Sequence, residues 1–252
     1  MVQKNRLSRH QSTGNKRLHS PETLNIFITD TVFNAMDNKE VTALVLLDLS
    51  KAFDSIDHSL LLTELSTLGL SKVSLEWFKS YLSQRRQSVR IGSELSETWM
   101  LAHGVPQCSI LGPALFNIYI NDLPYISNSC SLESYVDDSK LYLSFSVKDA
   151  EDAAARLTAD LERIAAWCCS HSLLINPDKT KPLLLGTRQM LNEVDDSFHV
   201  TLLGKEISPV PSARDLGVIL DTFLTYDEHI TSVVSKCIAS LCQINRVKRN
   251  IF

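Results

Sequence analysis

Ser131-Leu-Glu-Ser-Tyr135-Val136-Asp137-Asp138-Ser139-Lys140-Leu-Tyr-Leu-Ser-Phe145 reads as two short strands, Ser131–Tyr135 and Lys140–Phe145, joined around a pair of acids. Asp is poor in strands, and two adjacent carboxylates repel one another, so an acidic apex on an apolar hairpin needs a cause. A turn is one such cause, because Asp hydrogen-bonds nearby backbone there. Taken alone, the pair is explained by a turn.

A third acid changes the weighing. Thr42-Ala-Leu-Val-Leu-Leu-Asp48 is a continuous apolar run, too short for a helix, that closes on a carboxylate. Such a run reads as a strand buried on both faces. An unpaired carboxylate beside a core is costly, so Asp48 calls for a partner or a cation. If the two stretches share one sheet, Asp48, Asp137 and Asp138 converge at one edge. Divalent metal would neutralise them there. Two Mg²⁺ ions ~3.5–4 Å apart would also activate an attacking 3′-hydroxyl and stabilise a departing pyrophosphate.

Outward from these acids the pattern alternates helices and strands. Leu24, Phe27, Ile28, Val32, Phe33 and Met36 have helical spacing, with Ser20 as N-cap and Pro21 in the first helical position. Residues 59–68 and 72–82 form two helical stretches broken at Gly69, and Gln87–Ile91 with Thr98–Leu101 form a hairpin-like element. A loop rich in Gly and Pro over 104–113 leads into an apolar helix, Ala114–Leu123. Past the acidic hairpin, a long helix begins near Asp149 and buries Leu157, Leu161, Ile164 and Cys168. Lys181–Leu185, His199–Leu203 and Leu216–Leu220 read as strands, and Glu228–Arg249 as a last helix. This order predicts an α+β domain, a largely antiparallel sheet with helices on one face.

Bulk properties permit a folded enzyme without specifying one. The 252 residues are 44% hydrophobic and 21% charged, enough for a sizeable core and against disorder. No apolar run approaches the ~20 residues of a membrane span. The six cysteines lack zinc-ligand spacing and no secretory leader precedes them, which fits reduced thiols and an intracellular location, nucleus or cytoplasm alike. The net charge of −4 argues against a generally basic nucleic-acid binder. Basic residues do collect at both ends (Lys4, Arg6, Arg9, Lys16 and Arg17; Lys236, Arg246, Lys248 and Arg249), as solvated tails or as flanks for a phosphate backbone.

Four motifs in order carry a family resemblance. Ala43-Leu-Val-Leu-Leu-Asp48-Leu-Ser-Lys-Ala-Phe53-Asp-Ser-Ile-Asp-His58 resembles the first catalytic motif of the reverse transcriptases of non-LTR (LINE-like) retrotransposons. Gly104-Val-Pro-Gln-Cys-Ser-Ile-Leu-Gly-Pro113 resembles their Pro-Gln loop, Tyr135-Val-Asp-Asp138 their Tyr-x-Asp-Asp hairpin, and Asn176-Pro-Asp-Lys-Thr180 the motif that follows.

The resemblance implies a polymerase right-hand palm, with a fingers remnant and its leading helix over 1–41, the palm over 42–222 and the start of a thumb helix over 223–252. It implies RNA-directed DNA polymerisation, the two-metal transfer of deoxynucleotides to a primer 3′-end. RNA template, DNA primer and deoxynucleoside triphosphates would be the partners, and two Mg²⁺ ions, replaceable by Mn²⁺, the cofactors. Asp48, Asp137 and Asp138 would be the metal ligands and catalytic residues, with the Leu49 carbonyl as a further ligand. Phe53 would pack under the sugar, Gln107 would contact the incoming nucleotide, and Lys179 would face pyrophosphate. A core aromatic, a satisfied loop amide and a solvated lysine are the plainer readings of these last three. Leu216-Gly217-Val218 falls where the family has its primer-gripping hairpin, though strand packing explains it equally. Asp54, Asp57 and His58 are most simply caps of the following helix.

Two departures open a second reading. The family usually has glycine after Pro-Gln, and a Cβ at Cys108 would crowd the nucleotide or template. Most of the fingers, an endonuclease domain and C-terminal nucleic-acid-binding segments are not in this sequence, as in a fragmentary or decayed reading frame. The alternative is a catalytically incompetent palm remnant that at most binds nucleic acid or a partner. A metal-dependent nuclease or phosphatase shares the carboxylates without predicting Phe53, Gln107 and the loop together.

Overall fold

The computed structural model describes residues 20–107, 109–194 and 198–249. Its first helix, α1 (Pro21–Asp37), starts at the expected cap. The Ser20 hydroxyl accepts from the Thr23 N–H and the Thr23 hydroxyl accepts from the Ser20 N–H, a reciprocal capping box. Strand β1 (Glu40–Ser50) follows and is longer than the apolar run suggested.

Helices α2 (His58–Thr67) and α3 (Lys72–Leu82) come next, then four two-residue strands: β2 (Arg86–Gln87), β3 (Arg90–Ile91), β4 (Glu94–Leu95) and β5 (Trp99–Met100). Helix α4 (Gly112–Tyr119) is shorter than the apolar run it sits in, which continues as a 3₁₀ turn at Leu123–Tyr125. The acidic hairpin is β6 (Ser131–Tyr135) and β7 (Asp138–Ser146). Helix α5 (Ala150–Ser170) buries the expected stripe, although the Asp149 side chain makes no capping hydrogen bond. Beyond it lie β8 (Leu174–Ile175), β9 (Lys181–Leu185), α6 (Arg188–Leu191), β10 (Val200–Leu202), β11 (Lys205–Ile207), β12 (Ser212–Asp215), β13 (Val218–Asp221) and α7 (Asp227–Arg249).

The main sheet is antiparallel, with β7 between β6 and β1. The other side of β1 pairs with β9 through Thr42–Leu46 and with β8 through Leu49–Ser50. Helices cover both faces of this sheet, not one. Val41, Ala43, Val45 and Leu47 of β1 face a core shared with α2, α4 and α5, while Leu44 faces Leu24, Ile28 and Val32 of α1. Double burial is why the run reads as continuous apolar sequence with no alternation.

One further difference has a local cause. Leu216 and Gly217 form the turn between β12 and β13, with φ of 44° and 88°, so they do not begin a strand. Two positive φ angles are the I′ sense, matched to hairpin twist. The apolar stripe of α7 (Ile230, Val233, Val234, Ile238, Leu241, Ile244) is exposed. The five described cysteines are free thiols, and burial pushes Cys130 and Cys168 up to about 12. Among the described residues no helix is long and apolar enough to cross a membrane.

Candidate active site

Strand register brings the acids together. Across the β1–β7 ladder Asp48 is the Cα partner of Asp138, and across the hairpin Asp138 is the partner of Tyr135. Val136 and Asp137 are therefore the whole of the connecting turn. Val136 has φ 57°, while Asp137 is not in the left-handed region, the II′ sense of a tight hairpin turn. A β-branched residue there is held under strain of about 1–3 kcal/mol. Pairing on both sides of the turn holds it, helped by a buried hydroxyl contact of 2.9 Å between Ser134 and Ser139.

The charges at this end of the sheet are crowded. Asp48 Oδ2 is buried and has no hydrogen-bond partner; Lys179 Nζ stands 3.7 Å away, on a side chain open to solvent. The Asn176–Thr180 turn presents that lysine. Its first N–H donates to the Asp48 carbonyl at 3.0 Å, and the Lys179 and Thr180 N–H groups close back on the Asn176 carbonyl. Partial burial, then the charges of Asp137, Asp215 and Asp48, push Asp138 up to about 6, with Lys140 opposing. An orphaned carboxylate oxygen and a costly second charge fit a hard divalent cation. Among the described residues no three His, Cys, Asp or Glu side chains already converge as a ligand set.

Beside the acids is a cavity of about 410 Å³ lined by Leu49, Lys51, Phe53, Gln107, Pro113 and Asp137, among others. Four residues singled out in the sequence therefore meet at one pocket. Phe53 stacks on Phe116 with centroids 4.7 Å apart, so one ring is both core and pocket wall. Gln107 is exposed, and its amide donates to Asp54 Oδ1 at 2.9 Å. Lys51, at φ 52° in the bend after β1, was not anticipated; its only sequence signal was a basic residue three places after Asp48. Cys108 lies outside the described residues.

The pocket exists because two segments are stitched together. Gly104 N–H donates to the Ile56 carbonyl at 2.8 Å and Val105 N–H to the Phe53 carbonyl at 2.9 Å. His58 Nε2 meets the Gly104 carbonyl at 2.7 Å. Gly104 has φ 85°, and a Cβ there would stand 2.9 Å from the Asp54 backbone, an approach that only glycine allows. Of the three supposed caps, only Asp57 caps α2, accepting from Ser59 and Leu60 N–H. Asp54 and His58 hold the loop.

This geometry has counterparts. The family model for reverse transcriptase (RNA-dependent DNA polymerase) matches residues 2–220. The chain is 31% identical over 225 residues to the probable RNA-directed DNA polymerase from transposon BS of Drosophila melanogaster, covering 86% of this chain and 24% of that protein. It is 30% identical over 222 residues to the RNA-directed DNA polymerase from mobile element jockey of Drosophila funebris, covering 85% and 23%. It thus spans about a quarter of the length of these relatives. Apo telomerase from Candida tropicalis has the same fold, at a TM-score of 0.55 and 12% identity over 86% of this chain and 36% of that one. The mixed helical and antiparallel architecture is that of right-hand polymerases, and the relatives are polymerases of non-LTR retrotransposons. The chain belongs to the reverse transcriptase (RNA-dependent DNA polymerase) family.

Proposed function

We propose that this chain is the palm of an RNA-directed DNA polymerase that transfers deoxynucleotides to a primer 3′-end by a two-metal route. The observation that carries the reading is the register of Asp48 with Asp138, with Asp137 in the adjoining β6–β7 turn and on the wall of a pocket that also holds Phe53 and Gln107. Reverse transcriptases as a family use divalent metals. Asp48, Asp137 and Asp138 would hold them here, with the Leu49 carbonyl beside. Bound Mg²⁺ or Mn²⁺ supplies an acidified 3′-hydroxyl and charge neutralisation at the departing pyrophosphate.

The remaining work belongs to side chains. Phe53, backed by Phe116, is rigid enough to exclude a 2′-hydroxyl from the sugar position. Gln107 would release Asp54 to meet the incoming nucleotide. Lys179, paired with Asp48, would neutralise phosphate charge. RNA template, DNA primer and deoxynucleoside triphosphates are the partners in this reading. The division into a fingers segment (1–41), palm (42–222) and first thumb helix (223–252) is part of it.

Primer extension on poly(rA)/oligo(dT) with Mg²⁺ or Mn²⁺ tests the proposal. Incorporation abolished by Asp137→Asn and by Asp138→Asn supports it. A second reading, a palm that binds nucleic acid without catalysis, is favoured by a Gln107 amide engaged with Asp54. No incorporation, even from Cys108→Gly, selects that one.

A further inference from the structure

Helix α3 carries two apolar stripes, one set into the core and one that touches it only through Tyr81. Leu75, Phe78 and Leu82 pack inward. Val73, Trp77 and Tyr81 recur every fourth residue on another side, where Val73 is 77% and Trp77 54% exposed. Trp77 lies flat against Tyr81, with centroids 5.5 Å apart and planes 7° from parallel. The Arg85 guanidinium lies over the Tyr81 ring, 5.7 Å from its centroid.

The β2–β5 ladder extends this surface. Leu101 N–H donates to the Arg85 carbonyl at 2.9 Å, and Gln87 is the register partner of Trp99. Opposed residues of an antiparallel pair share a face, as do alternate residues along a strand. Trp99, 69% exposed, therefore lies on the face of Arg85. The same strand runs on through His103 and Gly104 into the pocket wall at Gln107.

Charge narrows the choice of occupant. Between Lys72 and Leu101 stand five basic side chains (Lys72, Lys79, Arg85, Arg86, Arg90) and three acids, in a chain that totals 25 basic and 29 acidic residues. Among the described residues none of those five is in an ion pair. Trp, Tyr and Arg also mark protein–protein interfaces, so it is the local excess of cations outside ion pairs, in a chain that is acidic overall, that points to a polyanion. Unpaired bases offer a π-face to each ring and a phosphate to each arginine.

We infer that Trp77, Tyr81, Arg85 and Trp99 form a stacking platform for the unpaired bases of a single-stranded nucleic acid. The inference deepens the polymerase reading by assigning a track for the strand that leads to the pocket, and it is measurable without catalysis.

The test uses the full chain with Trp167→Phe, so that Trp77 and Trp99 are the remaining indoles. A fluorescein-labelled oligouridylate is titrated while anisotropy and tryptophan quenching are followed. Quenching is expected on binding, and Trp77→Ala and Trp99→Ala each weaken affinity roughly tenfold. Replacing Arg85 by Ala flattens the slope of log affinity against log salt by about 0.7. Binding without quenching, equal affinity for a blunt duplex, or a Trp77→Ala variant that changes self-association but not RNA affinity each overturns the platform. Quenching that persists where primer extension is absent keeps the platform and removes the polymerase reading. Extension without quenching does the reverse.

Discussion

Lys140 on β7 and Asp215 at the end of β12 form an ion pair shut off from water, their side chains 1% and 5% exposed. Lys140 Nζ also donates to Asn25 Oδ1 of α1 at 2.9 Å, so one ammonium joins three elements two residues from Asp138. Desolvation pushes the lysine down and the aspartate up, and each opposes that shift in the other. Removing one member of such a pair leaves an uncompensated charge and costs about 3–5 kcal/mol. Lys140→Met should lower the unfolding free energy in urea by that amount. Lys140→Gln with Asp215→Asn should recover most of it; a double variant no more stable than the single would contradict this account.

Asp138 offers a pH test of the carboxylate end. Its acid is raised to about 6, whereas in an unfolded chain it titrates near pH ~4. The folded state therefore holds the proton more tightly, and the associated stability is full below pH ~4 and lost as pH rises through about 6. Asp138→Asn should raise the Tm of the metal-free protein at neutral pH, with the advantage vanishing near pH ~4. Adding Mg²⁺ should raise the wild-type Tm and leave the variant nearly unmoved, as scanning fluorimetry with and without EDTA would record.

Gly104→Ala addresses the stitched loop. The new Cβ meets Asp54 backbone at 2.9 Å in a left-handed conformation, so both strain and collision oppose it. The expected loss of stability is about 1–3 kcal/mol. Primer extension should fall by more, on the order of tenfold to a hundredfold, because displacing the loop moves Gln107 relative to Phe53. An active Gly104→Ala protein of unchanged Tm would show that the close approach is not needed.

Asp160 supplies a prediction far from the pocket. Burial pushes this carboxyl up, but N–H groups of Asn128, Ser129 and Cys130, together with Arg163, outweigh it and hold the acid at about 2. A depressed acid stabilises above its unfolded value and loses that contribution as pH falls from ~4 toward about 2. Asp160→Asn should cost about 1–2 kcal/mol at neutral pH. It should also flatten the acid limb of the stability curve in urea titrations between those values.

Long elements with a single periodicity were legible in the sequence: the capped α1, the run that became β1, the acidic hairpin and the buried stripe of α5. Strands of two to four residues such as β8, β11 and β12 were not, because so few residues hold no period. The carboxylates were readable as a set, but their register was not, since it depends on how far β1 extends and on a two-residue turn at Val136. Lys140 sat in a strand pattern with nothing to mark its partner 75 residues on. Asp54 and His58 looked like caps because capping is a local rule, while their contacts with Gln107 and Gly104 are made only after the loop folds back.

The position of β1 carries one more consequence. It is hydrogen-bonded along both edges, to β7 on one side and to β9 and β8 on the other. Amide protons of such a strand exchange with solvent only through the largest openings of the molecule, whereas those of a hairpin tip escape by local fraying. Asp48 and Asp137 thus belong to different exchange classes, although the proposed metal site would draw on both. In that proposal the first would be a fixed anchor, and the second would ride on a tip whose small excursions decide how often a coordination sphere is complete.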